Sequence, residues 1–257
     1  MLALADVTIA RGGRTLLRGV DARFGPGSLT AIVGANGVGK SSLLAAACGA
    51  LRPTHGTVTL DGRDIFAIDP RTRAREIALV EGTEAVLSTL SVAEAVAGAR
   101  FPHHRWWEWE TTAADVEAVE AALDATALAA YRNRELGTLS AGERQRVWIA
   151  LALAQRARVI ALDEPTSHLD LRYAVETLTL LQRLARAGAI VIAVLHALEE
   201  VAGFADRALV LGDGGVIADG TPPEALTTAT LERAYGVAIA VEARDGGLVF
   251  RRNLARS

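Results

Sequence analysis

Leu29-Thr30-Ala31-Ile32-Val33-Gly34-Ala35-Asn36-Gly37-Val38-Gly39-Lys40-Ser41-Ser42-Leu43-Leu44 decides the fold of this chain. A β-branched apolar run stops at a glycine, a glycine-rich loop follows, and a lysine and two hydroxyls open an alanine- and leucine-rich helical stretch. The pattern G-x-x-x-x-G-K-S between a strand and a helix is that of a phosphate-binding loop. Glycines let the backbone turn so that several N–H groups point at phosphate oxygens, and the helix beginning near Lys40 adds its positive end. Gly34, Ala35, Asn36, Gly37, Val38, Gly39, Lys40, Ser41 and Ser42 are therefore expected to bind nucleotide. Lys40 would reach the β and γ phosphates, and Ser41 would hold Mg²⁺.

Further along, Val159-Ile160-Ala161-Leu162-Asp163-Glu164-Pro165-Thr166 is an apolar strand that ends in two acids. A carboxylate at a strand tip beside a phosphate loop suits Mg²⁺, and successive strand residues point opposite ways. Asp163 is expected in the metal shell, and Glu164 is expected to accept a hydrogen bond from the attacking water. Leu139-Ser140-Ala141-Gly142-Glu143-Arg144-Gln145-Arg146 reads as a helix start: Ser140 and Glu143 form a capping box, and Gly142 permits close approach. By itself this is a capped helix; it is also a helix end able to present N–H groups and a hydroxyl to an anion.

The rest of the chain sets bounds. Its 257 residues allow one large α/β domain or two lobes. The 27 basic against 30 acidic side chains give −3, so bulk charge proposes neither nucleic acid nor an anionic membrane. Cys48 is the only cysteine, which excludes an internal disulfide and fits a reducing compartment. Lys40 is the only lysine; the other basic side chains are arginines. The longest apolar runs, Val147 to Ala154 and Ala189 to Leu195, fall well short of the roughly 20 residues of a membrane-spanning helix. The start, MLALADVTIARGG, lacks the features of a secretory signal, so the chain is expected to stay in the cytoplasm.

Short strand patterns (LALADVTIA, LTAIVG, TVTLDG, EIALV) fill residues 2 to about 80. Alanine-rich helical patterns occupy residues 91 to 139, and helix and strand then alternate: a helix from about Ala141, strands at Val159 to Leu162 and Ile190 to Leu195, and a helix from Leu171 between them. That alternation predicts a parallel sheet covered by helices. The tail RRNLARS is expected to be frayed and solvated.

Taken together, GANGVGKS (34–41), LSAGERQR (139–146), ALDEPTSHLD (161–170) and VLHALEE (194–200) resemble the ATP-binding-cassette (ABC) ATPases in order and spacing. The resemblance implies an α/β fold in a single domain, 1–257. Its parts would be a P-loop core sheet lobe (1–87 and 140–257), an antiparallel β subdomain and an inserted α-helical subdomain (about 88–139). It implies two subunits facing head to tail, with each ATP between one phosphate loop and the other subunit's Ser140, Ala141, Gly142 and Glu143. Asp170 would cross the interface, and His196 would sense the γ phosphate and join Glu164 and Lys40 in catalysis. The runs 169–181 and 195–237 resemble the subgroup that imports iron siderophores, haem and cobalamin. The partners it implies are a second cassette, integral-membrane permease subunits and, indirectly, a substrate-binding protein, with the chain peripheral on the cytoplasmic face of the cell membrane.

Two positions depart from that pattern. Gly82 stands where a glutamine that touches Mg²⁺ is expected, and Glu81 beside it could supply an oxygen to the metal instead. The departure leaves a second function open: an ATP-gated dimerising regulatory module with little hydrolysis. Arg11 stands where an aromatic usually meets adenine; its guanidinium can stack on a base or point to solvent. Trp106, Trp107 and Trp109 suit either the core of the helical part or an interface with a membrane subunit. The adjacent His103 and His104 lack a third metal ligand in sequence.

Overall fold

The computed structural model describes residues 1–81, 89–104, 110–167, 169–244 and 247–252. Gly82, Trp106, Trp107, Trp109 and His168 lie outside the described residues. The chain opens with two antiparallel strands, β1 (Leu2–Arg11) and β2 (Arg14–Phe24), joined through Gly12 and Gly13 at φ 59° and 77°, the conformation a two-residue hairpin requires. Next come β3 (Ser28–Gly34) and α1 (Lys40–Ala47). The strands β4 (His55–Leu60) and β5 (Arg63–Asp64) complete a sheet in the order β2-β1-β4-β5, with β1 and β4 antiparallel.

α2 (Pro70–Glu76) has no buried residue; it forms because Asp69 accepts from the N–H groups of Arg71 and Thr72 and Pro70 fits the first turn. β6 (Ile77–Val80) follows it. Then come three helices, each opened by a capping box: α3 (Val92–Gly98) by Ser91 and Glu94, α4 (Ala113–Ala125) by Thr112 and Asp115, and α5 (Ala141–Ala154) by Ser140 and Glu143. The remainder is β7 (Val159–Asp163), α6 (Leu171–Arg186), β8 (Ile190–Val194), α7 (Leu198–Phe204), β9 (Arg207–Gly212), β10 (Gly215–Gly220), α8 (Pro222–Ala225), α9 (Thr228–Tyr235) and a hairpin of β11 (Ile239–Arg244) and β12 (Gly247–Arg252). Arg251 and Arg252, expected in a frayed tail, close β12 opposite Ala240 and Ile239.

The main sheet has the order β10-β9-β3-β8-β7-β6, parallel throughout except for the edge strand β10. Its strands read as continuous apolar runs because both faces are covered. Val159, Ile190, Ile192 and Leu209 face a core shared with α1 and the antiparallel sheet. Ile160, Leu162, Val191 and Val210 face a second core closed by helices from α5 onward. A third core joins α3, α4 and one side of α5. α5 turns Val147, Ala150 and Ala154 to that core and Ile149 and Ala152 to the sheet, so the boundary expected near residue 139 falls at a helix that serves both sides.

The two sides are also joined by polar contacts around residues 100–104. Arg100 and Asp115 form a buried ion pair (Nε to Oδ1 2.8 Å), and Arg100 Nη1 donates to the Ala154 carbonyl at 2.8 Å. His104 Nε2 lies 3.0 Å from the other Asp115 oxygen, and His103 Nε2 donates to the Gln155 carbonyl at 2.8 Å. Both histidines are thus spent on structural partners, and among the described residues there is no cluster of three metal-ligating side chains. Arg71 and Arg75 of α2 donate to the Pro102 carbonyl at 3.1 and 2.6 Å, tying this segment to the sheet side. No helix of the described residues is long and apolar enough to cross a membrane.

Candidate nucleotide site

Three neighbouring parallel strands, β3, β7 and β8, end at one edge of the sheet, where open α/β sheets bind their ligands. From β3 the chain enters the loop through Gly34 at φ 148°, where an added Cβ would lie 2.6 Å from the Leu211 carbonyl oxygen of β9. Only glycine fits that crossing. Gly39 stands before α1 at φ 114° and offers no side-chain cap, so the helix presents its first amides without a competing acceptor from that position. The Lys40 ammonium donates to the carbonyls of Gly34 (2.8 Å) and Ala35 (3.1 Å), and the residue as a whole is 5% exposed. Burial lowers its pKa, while the charges of Glu164 and Asp163 act the other way.

From β7 come the two acids. Asp163 is half-buried; burial raises its pKa, opposed by a hydrogen bond from the Ser41 hydroxyl. Its Oδ1 is buried with no hydrogen-bond partner among the described residues. A buried carboxylate oxygen without a donor, beside a hydroxyl at the phosphate loop, fits the all-oxygen coordination of Mg²⁺. Glu164 takes φ 51°, a conformation rarely held by a non-glycine residue and concentrated at functional sites. Its Oε1 lies 2.6 Å from Nε2 of His196, which follows β8, and its Oε2 accepts from Ser167 Oγ at 3.0 Å. The His196 hydrogen bond is the main cause that holds the Glu164 carboxyl below its ordinary pKa, against the opposing effect of burial.

Lys40, Ser41, Glu164 and His196 share one open pocket of about 380 Å³, lined also by Asn36, Gly37, Gly39, Ser42, Arg11 and Leu16; Asp163 is not among the lining residues. No sequence motif marks Leu16 or Ser167: Leu16 sits in a strand whose apolar run is broken by charged residues, and Ser167 gains its role only through the turn after Glu164. Glu81, exposed after β6, is not among the lining residues; its charge adds to the burial that pushes the Cys48 thiol up to about 12.

The start of α5 stands apart from this pocket. Ser140 and Ala141 are exposed, and Gly142 is buried against Tyr173, whose ring an added Cβ would meet at 3.2 Å. Glu143 accepts from the Ser140 N–H at 2.7 Å, and Ser140 Oγ accepts from the Glu143 N–H at 3.3 Å. Asp170 caps α6 through the Tyr173 N–H at 2.9 Å and is also exposed. Ser140→Ala removes one side of the reciprocal cap, about 1 kcal/mol, and is expected to lower Tm by about 2–4 °C. A thermal melt in nucleotide-free buffer checks this.

With the loop, the acids and the helix start in place, the sequence profile of the ABC transporter family matches residues 17–167. The chain belongs to the ABC transporter ATPases. It is 36% identical to the ferric enterobactin transport ATP-binding protein FepC of Escherichia coli (strain K12), over 90% of this chain and 86% of that one. It is 38% identical to the hemin import ATP-binding protein HmuV of Rhodopseudomonas palustris (strain BisB18), over 95% of this chain and 91% of that one. The dimeric structure of a bacterial ABC transporter cassette superposes with a TM-score of 0.76 at 26% identity, covering 86% of this chain and 99% of that one. The ABC ATPase fold expected from the motifs, with its antiparallel sheet, is the fold observed.

Proposed function

We propose that this ABC ATPase powers import of an iron siderophore, haem or cobalamin through a membrane permease. The observation that carries the reading is the Glu164–His196 pair, 2.6 Å apart at the mouth of the phosphate loop. Relatives named for ferric enterobactin transport and hemin import, alike over nearly the whole chain, support the cargo class.

In this reading two cassettes, identical or related, face head to tail. Ser140 and Ala141 are exposed and Glu143 is half-buried, away from the chain's own pocket, which suits contact with the ATP held by a partner; Gly142 is buried between them. Asp170 would lie along the same seam. Arg11 would lie against the base. Lys40 would bring its positive charge to the β and γ phosphates. Ser41 and Asp163 would hold Mg²⁺, which when bound supplies positive charge for the phosphate oxygens. Glu164 accepts a hydrogen bond from the attacking water, and His196 holds the Glu164 carboxylate and the γ phosphate side of the pocket in register. The helical part, about 88–139, would receive the permease on the cytoplasmic face of the membrane, with a substrate-binding protein delivering cargo from the other side.

Deleting the gene in its host is expected to abolish growth on a ferric siderophore or haem as sole iron source, or cobalamin-dependent growth. The intact gene should restore it and Glu164→Gln should not. Undiminished growth on all three would remove the import reading.

A further inference from the structure

The turn that carries Glu164 is held at a second point. Thr166 Oγ1 donates to Oε2 of Glu200 at 2.8 Å, across 34 residues of sequence. Glu200 lies in the first turn of α7, four residues after His196. Two contacts therefore join the same two segments: Glu164 with His196, and Thr166 with Glu200. Glu164 turns the chain through φ 51° into buried Pro165, which leaves Thr166 facing α7.

α7 is a fixed base for this link. Val201 is fully buried in the core, Leu198 and Phe204 pack on the same core as Leu248 and Phe250 of β12, and Gln182 of α6 donates to the Phe204 carbonyl at 2.8 Å. A carboxylate acceptor makes the stronger kind of hydrogen bond to a hydroxyl. Within the described residues of the turn itself, Ser167 Oγ donates to Glu164 Oε2 at 3.0 Å, Ser167 N–H to the Glu164 carbonyl at 3.2 Å and Leu169 N–H to the Thr166 carbonyl at 3.3 Å; the Thr166–Glu200 bond is the one that ties the turn to α7.

We infer that Glu200 is a positioning residue for hydrolysis: by holding Thr166 it sets the Glu164 carboxylate against His196. The inference rests on the catalytic reading of that pair. Its competitor is a purely structural role, in which Glu200 serves only as an acidic residue in the first turn of α7. Glu199, exposed in the same turn, is the matched control.

The test is steady-state MgATP hydrolysis by the full chain, with Kd for MgATP and Tm measured on each variant. Glu200→Ala and Thr166→Val are each expected to lower kcat about 10-fold or more, with Kd within about 2-fold of the parent. The double variant should be no worse than the poorer single, because both remove one link. Glu200→Gln, whose amide oxygen still accepts, should recover kcat to within about 3-fold. Glu199→Ala should match the parent. Thr166→Val reads the same link if Glu200→Ala fails to fold. Parental kcat in Thr166→Val, losses that multiply in the double variant, or an equal loss in Glu199→Ala would overturn the inference. A parent with no MgATP turnover would instead overturn the reading of the Glu164–His196 pair, and this inference with it.

Discussion

Glu164→Gln is expected to cut MgATP hydrolysis by about 10²- to 10⁴-fold, the usual worth of a positioned general base. The argument is local. The carboxylate is held below its ordinary pKa by the His196 hydrogen bond, so it is ionised at neutral pH and able to accept from water. An amide keeps the shape and can still accept from Ser167, so the strained turn at φ 51° and the pocket should persist. What is lost is the negative charge that polarises the nucleophile. Binding should survive the change, and light scattering with MgATP should then show a dimer that outlives the parent's. Should the parent itself form a lasting dimer and turn over no ATP, the chain is a nucleotide-gated switch and not a motor.

Asp115→Ala should cost about 3–5 kcal/mol, because it strands the Arg100 guanidinium in the interior. Both side chains are nearly inaccessible, at 8% and 5%, and Asp115 also meets His104 and caps α4 through Thr112. Substituting Arg100 instead leaves the Ala154 carbonyl at the end of α5 without its 2.8 Å donor. Urea unfolding followed by circular dichroism measures the loss. The pH dependence has a definite sign. Burial alone would raise the Asp115 pKa, but the Thr112 hydroxyl, the Arg100 guanidinium and the Thr112 N–H outweigh it and hold the carboxyl below its ordinary value. Its stabilisation is therefore complete above the unfolded pKa of about 3.9 and is lost as pH falls through the folded value. Asp115→Asn should show a shallower fall in stability than the parent below about pH 5. Equal slopes would mean that other carboxylates govern acid unfolding.

The difference between these two sites explains what could be read without coordinates. The phosphate loop, β7 with its two acids, and the strand before His196 are contiguous in sequence, and their chemistry follows from neighbours one to seven residues apart. Strand β2 has no clear strand signal in sequence because Arg14, Arg18, Asp21 and Arg23 break the apolar run, although Leu17, Val20, Ala22 and Phe24 are buried. α2 carries no apolar face at all and is specified by its cap. Arg251 and Arg252 look like a solvated end until β11 supplies a partner strand. The Arg100–Asp115 and Thr166–Glu200 pairs depend on helix packing that brings together residues 15 and 34 apart, and no local pattern marks them. The loop, Glu164 and His196 carry local sequence signals; Leu16 and the groups that hold the pocket's walls in place do not.

The buried ammonium of Lys40 has a practical consequence for labelling chemistry. With no other lysine in the chain, an acylating reagent meets two amines: the N-terminus, ion-paired with Asp61, and one side chain folded under loop carbonyls. Lysine-directed crosslinkers therefore have a single side-chain target here, and the extent of acylation of the peptide that contains residue 40 reports how often its ammonium leaves the Gly34 and Ala35 carbonyls.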